Sequence, residues 1–247
     1  MLTLEGRTCV FIGATGQLGR SAVRMMCEAG MNVVMVTHNP DSANAIIDSL
    51  KDCKGKCVAM SNKDGDEAVL DDVARKFGSV DVIVNKSGGF DAPAPLAEIS
   101  ADKLASKLNH QITNAFKLVQ GALPYLEKSK APRVILTASA GAQDGFGGEN
   151  LVDSVSRGGV ISMTYALANM LAEKKITVNC IAMSGVINDM PPREAWMFSS
   201  ESIVGDIPMG RLGTADEYGA LVAYLASEEA GFVTGQVMNL SGGLHMG

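Results

Sequence analysis

Three glycines spaced three apart, Gly13-Ala14-Thr15-Gly16-Gln17-Leu18-Gly19, follow an apolar run from Thr8 to Ile12 and open a run of helical spacing through Leu18, Ala22, Met25, Met26 and Ala29. A turn of this kind can hold a pyrophosphate. The first backbone N–H groups of a helix lack intrahelical partners, the macrodipole adds positive potential, and missing side chains let phosphate oxygens approach. Spacing alone would equally suit a tight turn with close helix packing. Its place at the first strand-to-helix crossover is what points to a dinucleotide. In such folds a carboxylate ending the second strand binds the adenosine ribose, whereas here that end reads Thr37-His38-Asn39. A 2′-phosphate meets no carboxylate there and no Arg or Lys to grip it, which tilts the expectation slightly toward NADP(H) over NAD(H).

The elements that would position this turn alternate along the whole chain. Strands are expected at Val33 to Val36, Val58 to Met60, Val80 to Asn85, Val134 to Thr137, Thr177 to Ala182 and Gln236 to Leu240, after the first at Thr8 to Ile12. Between them lie helical patterns near 42–50 and 67–77, one long stretch over 101–127, and another over 152–172. The last helix starts at Thr214, whose hydroxyl can cap it while Glu217 answers to the backbone. Alternating strands and helices require an α/β architecture, a mostly parallel sheet covered on both faces. No linker divides residues 1–247, so one domain is expected. The segment 186–210, with the single Trp196 and Pro191-Pro192, lacks periodicity and reads as a lid over a substrate pocket, or alternatively as an oligomer contact or packed excursion.

Composition narrows the function classes. A net charge of −6 with scattered Lys and Arg argues against nucleic acid. No apolar run approaches the roughly 18 residues of a membrane span, and the start has no basic segment of a signal peptide, so a cytoplasmic protein without membrane contact is expected. Five cysteines, an odd number, exclude a disulfide framework. Cys53 and Cys57 lack a second Cys or His pair, and His38, His110 and His245 are far apart, so no metal site is expected.

The glycine turn, Asn85-Lys86-Ser87-Gly88, Pro208-Met209-Gly210-Arg211-Leu212-Gly213, Thr234-Gly235 and Gly242-Gly243 together resemble the short-chain dehydrogenase/reductase family, nearest its bacterial carbonyl-reductase and acyl-carrier-protein ketoreductase branch. The resemblance implies a single doubly wound Rossmann-like domain with seven parallel strands in the order 3-2-1-4-5-6-7. It also implies an NAD or NADP cofactor, a small-molecule carbonyl or alcohol substrate, and a homo-oligomer, tetramer or dimer. Carried over by position, the cofactor residues are Gly13, Thr15, Gly16, Gln17, Leu18, Gly19, Thr37, His38, Ser61, Asn62, Asn85, Ser87, Gly88, Arg157 and Asn188. Lys86 places a cation near where the family binds the cofactor ribose, or is simply solvated.

The reacting positions depart from the family. Its tyrosine, which exchanges a proton with the substrate oxygen, and the lysine four residues later fall on Asp153 and Arg157. The serine that holds the carbonyl is kept as Ser139, and the family's asparagine falls on Gln111. Tyr165, about 120° around the helix and about 18 Å along from residue 153, cannot substitute and reads as a packing residue. An Asp with an ordinary pKa of about 3.9 is a scarce acid near neutrality, which makes ordinary carbonyl reduction doubtful. Four readings follow: an oxidoreductase with a non-standard proton carrier, a non-redox dehydratase or isomerase with Asp153 as base, a catalytically inactive nucleotide-binding or partner subunit, and, for the Asp153–Arg157 pair itself, a surface-type helix pair of little energetic value.

Overall fold

The computed structural model describes residues 2–148, 150–186 and 204–246. Seven parallel strands form one sheet in the order β3-β2-β1-β4-β5-β6-β7. They are β1 Thr8–Ile12, β2 Asn32–Thr37, β3 Cys57–Ser61, β4 Val82–Asn85, β5 Arg133–Ser139, β6 Thr177–Met183 and β7 Val237–Leu240. The helices between them are α1 Gln17–Glu28, α2 Asn44–Ser49, α3 Leu70–Phe77, α4 Ala101–Leu108, α5 Asn114–Leu126, α6 Leu151–Leu171 and α7 Ala215–Ala226. Both the strand order and the seven expected strands hold.

Alternation along each strand feeds two cores. Cys9 and Phe11 of β1 pack with α1 and α7, while Val10 and Ile12 of the same strand pack with α3, α5 and α6. Successive side chains of a strand point to opposite faces, so the central strands β1, β4, β5 and β6 are buried along almost their whole length. Helices α1 and α7 come so close that a Cβ on Gly219 would lie 2.9 Å from Ser21 Oγ and 3.1 Å from Ala22 N. The expected cap of the last helix is present: Glu217 N donates to Thr214 Oγ1, and Thr214 N donates to Glu217 Oε2.

One sequence expectation changes. The single helix over 101–127 is broken into α4 and α5 by a π-type turn, Asn109–Thr113. The hydrophobic period cannot register one inserted residue, and such turns occur preferentially at functional sites. The lid expected over 186–210 lies mostly outside the described residues, as does Asn188.

Candidate active site

At the C-terminal ends of β1, β2 and β4 lies a cleft of about 560 Å³. This is the crevice where the strand order reverses, the place where open α/β sheets bind ligands. Gly13, Thr15, Gly16, Thr37, His38, Asn62, Ser87 and Gly88 line it, as the sequence predicted. The glycine turn is built for an occupant. Gly13 has φ +80, and a Cβ there would sit 2.3 Å from the Lys86 carbonyl oxygen, so only glycine fits. A Cβ on Gly16 would meet nothing within 4 Å, leaving open space above the start of α1, where no side chain caps the helix. Gln17 Oε1 and Asn62 Oδ1 are buried without a hydrogen-bond partner. Uncapped helix N–H groups, a bare glycine and orphaned acceptors fit a dinucleotide's pyrophosphate and hydroxyls.

Of the other predicted cofactor residues among those described, Leu18, Gly19, Ser61 and Asn85 do not line the cleft. Leu18 is in the core and Gly19 presses against Ala14, where a Cβ would come within 2.5 Å of its carbonyl oxygen. Ser61 is exposed, its Oγ accepting from Lys63 N. Asn85 Oδ1 accepts from Ser87 N at 2.9 Å and Ser87 Oγ at 2.6 Å, which shapes the turn after β4. Asp64, Asp66 and Glu67 line the same cleft as Thr37 and His38, and so do Lys86 and Lys117. The sequence argument looked for a carboxylate only at the end of β2. The run Asp64-Gly65-Asp66-Glu67 directly after β3 was the available signal.

The reacting positions gather around the start of α6. Ser139 ends β5, is 2% exposed, and its Oγ donates to the Met183 carbonyl at 3.1 Å. Asp153 is fully buried, in the first turn of α6, where the Asn150 side chain caps the helix by accepting from Asp153 N. Its carboxylate has four partners. Oδ2 accepts from Asp91 N at 2.7 Å and Asn150 Nδ2 at 3.0 Å. Oδ1 faces Lys107 Nζ at 3.1 Å and Arg157 Nε at 3.4 Å. Both sequence readings of this pair need correction. It is no exposed helix pair, and the carboxylate is no free base, because its acceptor positions are filled.

Arg157 is likewise committed. Besides Asp153, its Nη2 donates to the Gly89 carbonyl at 3.1 Å, and its guanidinium carbon lies 4.0 Å from the centre of the Phe90 ring, which Phe146 meets edge-on. Burial lowers its pKa, and the charge of Asp153 opposes that shift. Arg157 does not line the cofactor cleft. Lys107 completes the cluster by donating to Gly89 O at 2.7 Å and pairing with Asp91 Oδ2 at 2.9 Å. The loop after β4 is thus fastened onto α4 through Lys107 and onto α6 through Asp153 and Arg157. Nothing in the sequence singled out Phe90, Lys107 or Asn150 for this role.

Gln111 sits on the π-type turn, 3% exposed, with Nε2 lacking a partner. Asn85 Nδ2 is also orphaned, and both residues line a cavity of about 10 Å³ with Ser87 and Thr137, room for about one water molecule. Gly88, at φ +97, is required beside it: a Cβ would lie 2.6 Å from Gln111 Nε2. The phenols are elsewhere. Tyr125 donates to Asp71, Tyr218 OH lies 3.4 Å from Thr137 Oγ1 in the core, and Tyr224 packs against the core from α7. Tyr165 is 49% exposed, less a packing residue than the sequence suggested. Among the described residues no cluster of His, Cys, Asp and Glu could hold a metal, and all five cysteines are free.

With this geometry in place, comparison with known proteins is direct. A family model described as enoyl-(acyl carrier protein) reductase matches residues 13–245. The chain is a short-chain dehydrogenase/reductase. It is 28% identical over 246 residues to the 3-oxoacyl-acyl-carrier-protein reductase FabG of Vibrio cholerae, covering 99% of this chain and all of that protein. To glucose 1-dehydrogenase 2 of Bacillus subtilis it is 30% identical, covering 98% of this chain and 95% of the relative. The structure of a short-chain type dehydrogenase/reductase from Mycobacterium ulcerans superposes with a TM-score of 0.89 at 20% identity, over 98% of this chain and 91% of that one, a likeness of fold. The relatives' names, reductase and dehydrogenase, support an oxidoreductase. No helix among the described residues is long and apolar enough to cross a membrane.

Proposed function

We propose that this protein is an NAD(P)-dependent oxidoreductase for a small carbonyl or alcohol, in which Asp153 does not carry the proton. The observation behind this reading is the conjunction of an open dinucleotide cleft with a carboxylate whose four acceptor contacts are all taken. When bound, the dinucleotide supplies or accepts the hydride. The glycine turn and the start of α1 hold its phosphates, and the Ser87–Gly88 turn shapes the wall beside them. Ser139 holds the reacting oxygen. As it stands, its proton goes to the Met183 carbonyl, so its oxygen can accept from a substrate hydroxyl; to hold a carbonyl the hydroxyl must rotate off Met183. The proton then passes to or from water or the substrate itself. The exposed apolar side chains of Phe116 on α5 and Leu151, Val155, Tyr165 and Met170 on α6 support pairing with further copies of the chain.

A second reading, a subunit that binds dinucleotide without turning it over, draws on Arg157 lying 3% exposed beneath Phe90. Asp153 as the base of a dehydratase or isomerase draws no support from a carboxylate so fully engaged. Turnover of NADH and NADPH against a panel of ketones and aldehydes, and of NAD+ and NADP+ against a panel of alcohols, separates the readings. Oxidoreduction is expected, slowed about 10- to 100-fold in Ser139→Ala by loss of one hydrogen bond to the reacting oxygen. Tight dinucleotide binding with no turnover across the panel selects the second reading, and product without nicotinamide oxidation selects the third.

A further inference from the structure

Of the lysines near the reacting end, Lys107 is neutralised by Asp91 and Asp153, but Lys86 has no ion pair or side-chain hydrogen bond among the described residues. Lys86 lies directly after β4. Its backbone N–H donates to the Ile12 carbonyl at 3.0 Å, continuing the β1–β4 pairing, and its carbonyl closes against Gly13. The residue therefore stands beside the glycine turn, and it lines the same cleft as Thr15 and Gly16. Arg157, at the family's lysine position, is turned away by Asp153, Gly89 and Phe90.

We propose that Lys86, and not Arg157, is the cation that engages the pyrophosphate–ribose segment of the dinucleotide. The position of the family's lysine has been spent on fastening the loop, and the cation that lines the cleft beside the glycine turn is the one at the end of β4. Burial and the charge of Arg157 both lower the Lys86 pKa. An ammonium in that condition gains from an anion, because the anion offsets both the desolvation and the repulsion. Reach favours Lys86 as well: a lysine is a flexible point charge that can follow a phosphate, whereas a guanidinium stacked on Phe90 is fixed.

The inference rests on the dinucleotide reading above, and the test keeps the two apart. Binding of ADP-ribose and of adenosine, at millimolar concentration where needed, is measured by calorimetry and ligand-observed NMR for wild-type protein, Lys86→Met and Lys86→Arg. Lys86→Met is expected to weaken ADP-ribose about 10- to 100-fold, the value of one charge-assisted hydrogen bond, while adenosine binding stays within about twofold. Lys86→Arg, which restores the charge, is expected to recover most of the loss. Unchanged ADP-ribose affinity in Lys86→Met overturns the proposal. So does a parallel loss of adenosine, which would make Lys86 a residue that shapes the cleft. Wild-type protein that binds neither ligand overturns the dinucleotide reading itself and this inference with it.

Discussion

Replacing Asp153 by Asn tests whether this carboxylate is a structural anchor or an idle reactive group. The side chain is fully buried and countered by Lys107 and Arg157, whose side chains are 12% and 4% exposed. Asn keeps the shape and removes the charge, leaving the two cations with Asp91, which pairs with Lys107, as the remaining carboxylate of the cluster among the described residues. Its amide must also point an N–H at one of the donors now served by the carboxylate, either the Asp91 N–H and Asn150 amide or the two cations. Removing one partner of a buried ion pair costs about 3–5 kcal/mol. For a chain of this length a loss of 1 kcal/mol lowers Tm by about 2 °C, so Asp153→Asn should melt about 6–10 °C below wild type. The assay is thermal unfolding by circular dichroism at fixed protein and ligand concentration, since assembly and cofactor both raise Tm. Adding Lys107→Met should recover part of the loss by removing one of the stranded cations, a non-additivity of about 1–3 kcal/mol. A Tm for Asp153→Asn within about 2 °C of wild type, or above it, would refute the reasoning, because residues poised for chemistry often destabilise the fold that holds them.

Two glycine substitutions should separate folding from binding. Gly16→Ala, at φ −73 with open space beyond, should leave Tm nearly unchanged and weaken NADH or NADPH at least about tenfold in a fluorescence titration, by placing a methyl group where phosphate must approach. Gly13→Ala forces a Cβ into the Lys86 carbonyl at positive φ and should destabilise the whole β1–β4 junction, visible as a lower Tm without any ligand. At acid pH, Glu217 and Glu229 should report. Hydrogen bonds from Arg211 and Thr214, and from Thr3, hold their pKa values down to about 2, below the ordinary 4.5. Folded pKa values below the unfolded ones contribute stability that is present above about pH 4.5 and lost as pH falls toward 2. Urea midpoints measured between pH 5 and pH 3 should therefore fall, and fall less steeply in Glu217→Gln.

The fold was legible because its signals are local and redundant. Each strand is a short apolar run, each helix carries its own period, and Thr214 with Glu217 announces a helix start without reference to anything distant. The glycine turn was legible for the same reason: Gly13, Gly16 and Gly19 act on backbone atoms within the same few residues. The reacting end was harder. A gap-free count singles out Asp153 and Arg157, both on α6, but their partners, Asp91 after β4 and Lys107 on α4, lie 62 and 46 residues away from Asp153 in sequence. No spacing rule connects them, and Lys107 looks like any lysine on an amphipathic helix. The π-type turn at Asn109–Thr113 was invisible too, since one extra residue in a turn leaves the hydrophobic pattern almost unchanged. The acidic wall at Asp64, Asp66 and Glu67 shows the reverse failure: the residues were plain in the sequence, but which cleft they share depends on the loop after β3.

The contacts around Asp153 account for an aspartate at 153 and an arginine at 157. Two cations, Lys107 and Arg157, face two carboxylates, Asp91 and Asp153, so the buried charge balances, and the carboxylate of Asp153 is hydrogen-bonded on both oxygens. A phenol at position 153 could not serve that set. It has one oxygen where the loop backbone, the Asn150 amide and two cations require two, and it would leave Lys107 with only Gly89 O and Asp91, and the Asp91 N–H without its acceptor. A lysine at 157 would keep a charge but lose the planar face that stacks on Phe90 and the fork that reaches Asp153 and Gly89 together. The two replacements are therefore complementary: once residue 153 is an aspartate that ties down the loop, an arginine at 157 stabilises that loop better than the lysine would. Closure of the loop after β4 over α6, with the dinucleotide cleft left open beside it, is what this arrangement of charges secures.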